Sequence, residues 1–151
     1  MEKFGSLYDA IDFAIERETE SYEFYSGLSK KMNRPEMQEV FKNFAAEETG
    51  HKTKLEAVKR GEYKYPDNAR IPDLKIADYT VKEIPMDDMT YQNTLILAMN
   101  KEKAAFRLYS DLAKSIVVPD IKNLFLSLAQ EEARHKLRFE IEYDDYILKE
   151  N

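Results

Sequence analysis

Cysteine is absent from the whole chain of 151 residues. No disulfide can form within this chain, no thiolate can act as a nucleophile, and neither a zinc ribbon nor a four-thiolate iron site can be built from it. Glycine and proline are scarce, at 4 and 5 residues, which suits helices better than the many turns of a β fold. Positive charge is in deficit: 23 Lys and Arg stand against 29 Asp and Glu, a net charge of −6. Nucleic acid and anionic membrane surfaces demand a basic face, so neither is expected as a partner. No run approaches the ~18 apolar residues of a membrane span, and the opening MEKFGSLYDA lacks the unbroken apolar stretch of a secretion signal. The expectation is a soluble, cytoplasmic protein of one domain, residues 1–151.

What is abundant is charge, 34% of the chain, together with apolar residues at helical spacing. Leu7, Ile11, Ala14, Tyr25 and Leu28 form one stripe, and Met37, Phe41, Phe44, Leu55 and Val58 a second. Pro35 falls at a first helical position after Asn33-Arg34, and Gly61 is a stop signal. These patterns predict helices over about 6–32 and 35–60. Tyr91, Leu95, Ala98, Tyr109, Leu112 and Ile116 form a third stripe, and Ile121, Leu124, Leu128, Phe139 and Tyr146 a fourth. Pro119-Asp120 marks the turn, so helices are predicted over about 89–115 and 119–147. Residues 61–88 carry Gly61, Pro66, Pro72 and Pro85 without a sustained period, and read as a crossover with short extended pieces. The fold class is therefore all-α: a ferritin-like four-helix bundle of two helical hairpins, with a long crossover between helices two and three.

The halves repeat each other. One constant offset carries Glu48-Thr49-Gly50-His51 onto Glu132-Ala133-Arg134-His135. The same offset carries Glu18 to Glu102, Tyr25 to Tyr109, Leu28 to Leu112 and Phe41 to Phe125. Internal duplication is the simplest account.

Four acids interrupt the apolar stripes. Glu18 lies one helical turn after Ala14, Glu102 one after Ala98, Glu48 one after Phe44 and Glu132 one after Leu128, and His51 and His135 continue the last two stripes. A helix face packed inside a bundle is dry, and burying one unpaired carboxylate costs several kcal/mol or forces it to take up a proton. Four at one place repel one another unless cations compensate them. Their levels agree, because Glu18 and Glu48 are equally far along the chain from Asn33, as Glu102 and Glu132 are from Val117. Glu-x-x-His puts carboxylate and imidazole on one helix face. One Glu from each of two helices plus one Glu-x-x-His from each of the other two is the six-ligand set of di-iron and di-manganese carboxylate bundles. Four negative charges balance two divalent ions, and mixed imidazole and carboxylate ligation suits iron or manganese. Glu48 and Glu132 are read as bridging, Glu18 and Glu102 as terminal.

At these residues the chain resembles the rubrerythrin-like branch of the ferritin-like superfamily, through Glu18-x-x-Ser21-x-x-x-Tyr25, Glu48-x-x-His51, Glu102-x-x-Ala105-x-x-x-Tyr109 and Glu132-x-x-His135. The resemblance implies a four-helix bundle whose two irons, held by Glu18, Glu48, His51, Glu102, Glu132 and His135, cycle between di-ferrous and di-ferric states. Manganese or zinc are the substitutes to consider. It implies reduction of hydrogen peroxide or reaction with dioxygen, a homodimer, and Tyr25 and Tyr109 beside the metal pocket. Two departures bear on this. Rubrerythrins proper carry a rubredoxin domain that feeds electrons to the iron pair. This chain has no cysteine for one, so its electron donor must be external, such as a rubredoxin-like protein. Rubrerythrins also carry a further Glu three positions after the third-helix ligand, where this chain has Ala105.

Other positions read more plainly. Tyr25 and Tyr109 either hydrogen-bond a ligand and quench oxidising equivalents, or serve as core packing. Glu47 and Glu131, about 100° around from the ligand stripe, read as solvated. Glu142 returns to the stripe near the end of the chain and reads as a frayed, wet position, with a role at an interface or behind the ligands as the alternative, and Met32, Met37, Met89 and Met99 read as core filler. Phe24 and Phe106 read as outer apolar positions that favour dimerisation. The leading function is a di-iron oxidoreductase. The alternatives are a ferroxidase handling iron and a structural bundle stapled by metal.

Overall fold

Two hydroxyl side chains and two prolines start the four helices of this protein. The computed structural model describes residues 4–63, 74–82 and 90–150. Ser6 caps α1, Leu7–Lys31, its hydroxyl accepting from the Asp9 N–H at 3.2 Å. Thr90 caps α3, Tyr91–Ser115, accepting from the Asn93 N–H at 3.1 Å. Each cap satisfies one of the amide donors that a helix start leaves without an intrahelical acceptor. Pro35 and Pro119 open α2, Pro35–Lys59, and α4, Pro119–Glu150, where a missing N–H costs nothing. The offset between the halves therefore maps cap onto cap and proline onto proline. It also maps both ends of α1 onto those of α3, while α4 runs two turns past the image of α2. The end of α4 thus lies slightly beyond the expected Ile147.

Helix α2 stops at Gly61, which takes φ +85. The Gly61 N–H donates to the Val58 carbonyl at 3.0 Å and the Glu62 N–H to Ala57 at 3.1 Å, the paired bonds of a Schellman ending. Most of the expected crossover, including Pro66, Pro72 and Pro85, lies outside the described residues, as does Met89. Within residues 74–82 the chain makes a 3-10 turn, Ile76–Tyr79, flanked by extended Lys75 and Thr80. Tyr79 is buried and its hydroxyl donates to Asp111 Oδ2 on α3 at 2.6 Å. Burial, and then the bond to that carboxylate, push the phenol above its ordinary range.

The chain forms two compact units, one carrying α1 and α2, the other α3 and α4. In the first, Ile11, Leu28, Phe41, Leu55 and Val58 are buried along the facing stripes. In the second, Leu95, Leu112, Ile121, Leu128 and Phe139 do the same. Tyr25 stacks on Phe41 with ring centroids 6.0 Å apart, and Tyr109 on Phe125 at the same 6.0 Å. The duplication thus extends to side-chain geometry. No described helix is long and apolar enough to cross a membrane.

Four side chains differ from the sequence expectation. Phe24 is buried, its ring tilted against that of Tyr25 at 5.4 Å, whereas Phe106 is exposed as expected. Glu142 is not frayed: it accepts from the Tyr91 hydroxyl at 2.7 Å and lies 3.5 Å from Arg138. With the Tyr91–Tyr146 ring contact at 5.0 Å, that bond ties the far end of α4 to the start of α3. Glu47 and Glu131 are half-buried, not fully solvated.

Candidate metal centre

Seven polar or charged side chains are buried among the described residues. One is Thr94, whose hydroxyl donates to the Thr90 carbonyl within its own helix at 2.9 Å. The other six are Glu18, Glu48, His51, Glu102, Glu132 and His135, none more than 2% exposed. Burial of acids and imidazoles among the described residues is therefore confined to these six positions, and the reason is local. Each acid occupies an inward turn of a stripe whose neighbours, such as Ala14, Phe44, Ala98 and Leu128, are themselves buried. Helix geometry leaves the acid nowhere else to point.

The structure brings the six together in two sets of three, one per hairpin. In the first, Glu18 from α1 meets Glu48 and His51 from α2. His51 Nδ1 is 3.5 Å from Glu18 Oε2 and 3.6 Å from Glu48 Oε1. In the second, His135 Nδ1 from α4 is 3.6 Å from Glu102 Oε2 on α3, and Glu132 lies one turn before His135. Within each triad every residue offers a ligand atom, all within 4.8 Å of one another. Both imidazoles thus turn the same nitrogen, Nδ1, toward the carboxylates.

Two carboxylates and one imidazole form a negatively charged, oxygen-rich donor set. Each triad thus sets two acids against one imidazole in a dry setting, where charge is costly to hold without a compensating ion. A divalent cation relieves that cost, and the donors suit iron, manganese or zinc better than calcium or magnesium. The residues present fit such a metal. Two turns along from Glu18 and Glu102, Tyr25 and Tyr109 are fully enclosed, and helical side chains lean back toward the N-terminus, hence toward the triads.

The sequence matches the Rubrerythrin family over residues 4–59 and 93–151, both hairpins without their connection. The chain belongs to the rubrerythrin family. No curated protein matches it. Among solved structures it is similar to a hypothetical protein from Pyrococcus furiosus, with a TM-score of 0.70 and 24% identity over 93% of this chain and 89% of that one. That likeness concerns the fold, and the four long helices are consistent with a ferritin-like four-helix bundle. As a rubrerythrin-family chain it keeps Glu18, Glu48, His51, Glu102, Glu132 and His135 buried and departs at Ala105, which is half-buried and offers no donor. Sequence reasoning gave no role to the hydroxyl caps Ser6 and Thr90, although Ser-x-x-Asp and Thr-x-x-Asn at these positions were the available signals.

Proposed function

We propose that the two triads act together in one domain as a di-iron centre. It would serve an oxidoreductase that reduces hydrogen peroxide or reacts with dioxygen, using electrons from an external donor. The observation that carries this reading is the repeated buried Glu, Glu and His triad in a chain of the rubrerythrin family. Three ligands from each hairpin make up the six of a di-iron carboxylate bundle.

Glu18, Glu48 and His51 would hold one side of the centre, and Glu102, Glu132 and His135 the other. A pair of irons held there would supply the two electrons that reduction of a peroxide O–O bond takes up. The protein's own contribution is positional. His51 and His135 are fixed by the buried helix faces that carry them. The apolar side chains around the acids keep out bulk water. Tyr25 and Tyr109 lie where a phenol could hydrogen-bond a ligand carboxylate or give up an electron when external electrons run short. These hairpins hold no cysteine, so electrons would reach the centre from a donor outside them, such as a rubredoxin-like protein.

Metal counting tests the shared centre. Anaerobic loading with Fe(II) should give two irons per chain, and His51→Ala alone should lower the affinity at both positions if the two triads act as one centre. Loss of one iron with the other unaffected would mean two separate sites. Stopped-flow mixing of the di-ferrous protein then separates the activities. Faster reoxidation by peroxide than by oxygen supports the peroxidase reading. Oxygen-driven turnover of many irons per chain would replace it with iron handling.

A further inference from the structure

The far end of the second hairpin is built differently from its duplicate. The Tyr91 phenol on α3 donates to Glu142 Oε1 on α4 at 2.7 Å. Arg138 Nη1 lies 3.5 Å from the other oxygen, Oε2. The carboxylate thus divides its two oxygens between a phenol and a cation. Tyr146 sets its ring edge-on to Tyr91, with centroids 5.0 Å apart. The corresponding positions in the first hairpin are Leu7 for Tyr91, Val58 for Glu142 and Glu62 for Tyr146. Leu7 and Val58 are both buried. A hairpin of this kind therefore folds without a phenol or a carboxylate at these positions.

The pair is aligned with the metal ligands. Glu142 comes seven residues after His135. At about 100° and 1.5 Å per residue, that returns it to within about 20° of the same line, about 10.5 Å along α4. Tyr91 comes eleven residues before Glu102, again within about 20° of its line. Phe139, fully buried, stands between His135 and Glu142 on the stripe, where packed protein rather than water separates them. Tyr79 also has a carboxylate partner, Asp111, but Asp111 comes nine residues after Glu102 and so lies about 180° around α3 from it. Tyr25 and Tyr109 are fully enclosed, whereas Tyr91 is half-buried and within reach of a reductant in solution.

We infer that Tyr91 and Glu142 form a proton-coupled redox pair, which yields an electron to the centre when the external donor does not. The pair depends on the oxidoreductase reading for its oxidant, hydrogen peroxide reduced at the centre. Peroxide takes up two electrons, and two protons from solvent, to become two waters. When the centre is one electron short, Tyr91 gives the missing one. A phenol that has lost an electron is a strong acid, and its proton passes along the existing hydrogen bond to Glu142 Oε1. Tyr91 is left as a neutral phenoxyl radical and Glu142 as a carboxylic acid. One electron from a reductant in solution then restores the phenol, and the same proton returns from Glu142. The first hairpin has no such outlet at Leu7 and Val58, so the oxidising equivalent leaves through the second.

Two arms test this. In the metal-free protein, flash-generated ruthenium(III) tris-bipyridine withdraws one electron, and rapid-freeze EPR reads the tyrosine radical. The native protein should hold a radical at Tyr91 that forms more slowly in D2O, and Tyr91→Phe should lose it. Glu142→Gln keeps an oxygen for the hydrogen bond but cannot take the proton. It should lose the radical too, with helicity and bound metal unchanged. In the second arm the iron-loaded protein meets excess peroxide without a donor. The same radical should form there and vanish in the same two variants. An unchanged radical in Tyr91→Phe overturns the inference, as does a native yield in Glu142→Gln. A Tyr91 radical in the first arm but none in the second, with the iron oxidised by peroxide, overturns the link to the centre. Should peroxide oxidise no iron, the oxidoreductase reading fails and the metal-free arm alone decides the pair. Should Tyr91→Phe loosen α4, Glu142→Gln decides.

Discussion

Glu48→Gln should make the metal-free protein more stable and the metal-loaded protein less so. The substitution is isosteric, so it opens no cavity and changes one thing, the charge on a side chain that is 1% exposed. The ligand atoms of Glu18 and Glu48 lie within 4.8 Å of each other. Two like charges at that separation repel by about 3.5 kcal/mol at an effective dielectric of about 20. The neighbouring His51 imidazole and the surrounding dipoles relieve part of this, leaving a gain of about 1–3 kcal/mol when one carboxylate becomes an amide. For a chain of this length each kcal/mol moves the melting temperature by about 2–4 °C, so the metal-free variant should melt about 2–12 °C higher. With metal the order reverses. A cation present at about 1,000 times its Kd adds about 4 kcal/mol to the native protein, and the variant, short of one anionic ligand, forgoes most of it. Calorimetric melts in EDTA and in excess Mn(II), which avoids oxidation during the scan, measure both quantities. Glu132→Gln should behave alike, since it is the image of Glu48 in the other hairpin. A metal-free Glu48→Gln protein that melts lower than the native one, with an undiminished increment from Mn(II), would refute the view that these acids are buried at a cost that metal offsets.

Two further outcomes test the frame around the centre. Tyr79→Phe removes the bond from the 3-10 turn to Asp111 and should cost about 1.5–3 kcal/mol, the range for a hydrogen bond to a charged group. Because the folded protein raises the Tyr79 phenol above its unfolded value, its stabilisation is fully present below pH ~10 and is lost as pH rises beyond it. The native protein should therefore weaken on that alkaline limb more steeply than Tyr79→Phe, and parallel slopes in denaturant titrations would count against the assignment. Gly61→Ala forces a side chain into the left-handed region at the end of α2 and should cost about 1 kcal/mol in a urea midpoint, although nothing crowds a Cβ there. An unchanged midpoint would mean the helix end can relax into another cap.

The helices and the six buried donors were readable in the sequence because a period, a stop signal and a chemical contradiction fell on the same residues. Pro35, Pro119 and Gly61 bounded three ends, and the duplication cross-checked the rest. Acids on a dry stripe are too costly to be incidental, so Glu18, Glu48, Glu102 and Glu132 stood out before any coordinates. What the sequence did not disclose depends on partners far along the chain. Glu142 looked frayed because nothing near it suggested the distant Tyr91 as its donor. Phe24 looked exposed because it sits beside Tyr25 and off the main stripe, yet the tilt of the two rings covers both. The connection carried no period from which the Tyr79 contact with Asp111 could be read.

The differences between the halves say as much as their likeness. A duplicated hairpin needs only its inward face to build a centre, and there the match is close: caps, prolines, triads and the Tyr–Phe stacks all coincide. Along that face the core departures exchange one apolar side chain for another, Met37 for Ile121, Phe44 for Leu128 and Leu55 for Phe139, and a change to polar partners comes at its far end. Leu7 and Val58, both buried, become Tyr91 and Glu142, a hydrogen-bonded pair that secures the two extra turns of α4. On this argument Tyr91→Phe should loosen the end of α4, so that the amide protons of its last two turns exchange faster while the bound metal count stays unchanged. Hydrogen exchange and metal analysis on the one variant read both. Native protection of those turns in Tyr91→Phe would refute the view that this bond secures them.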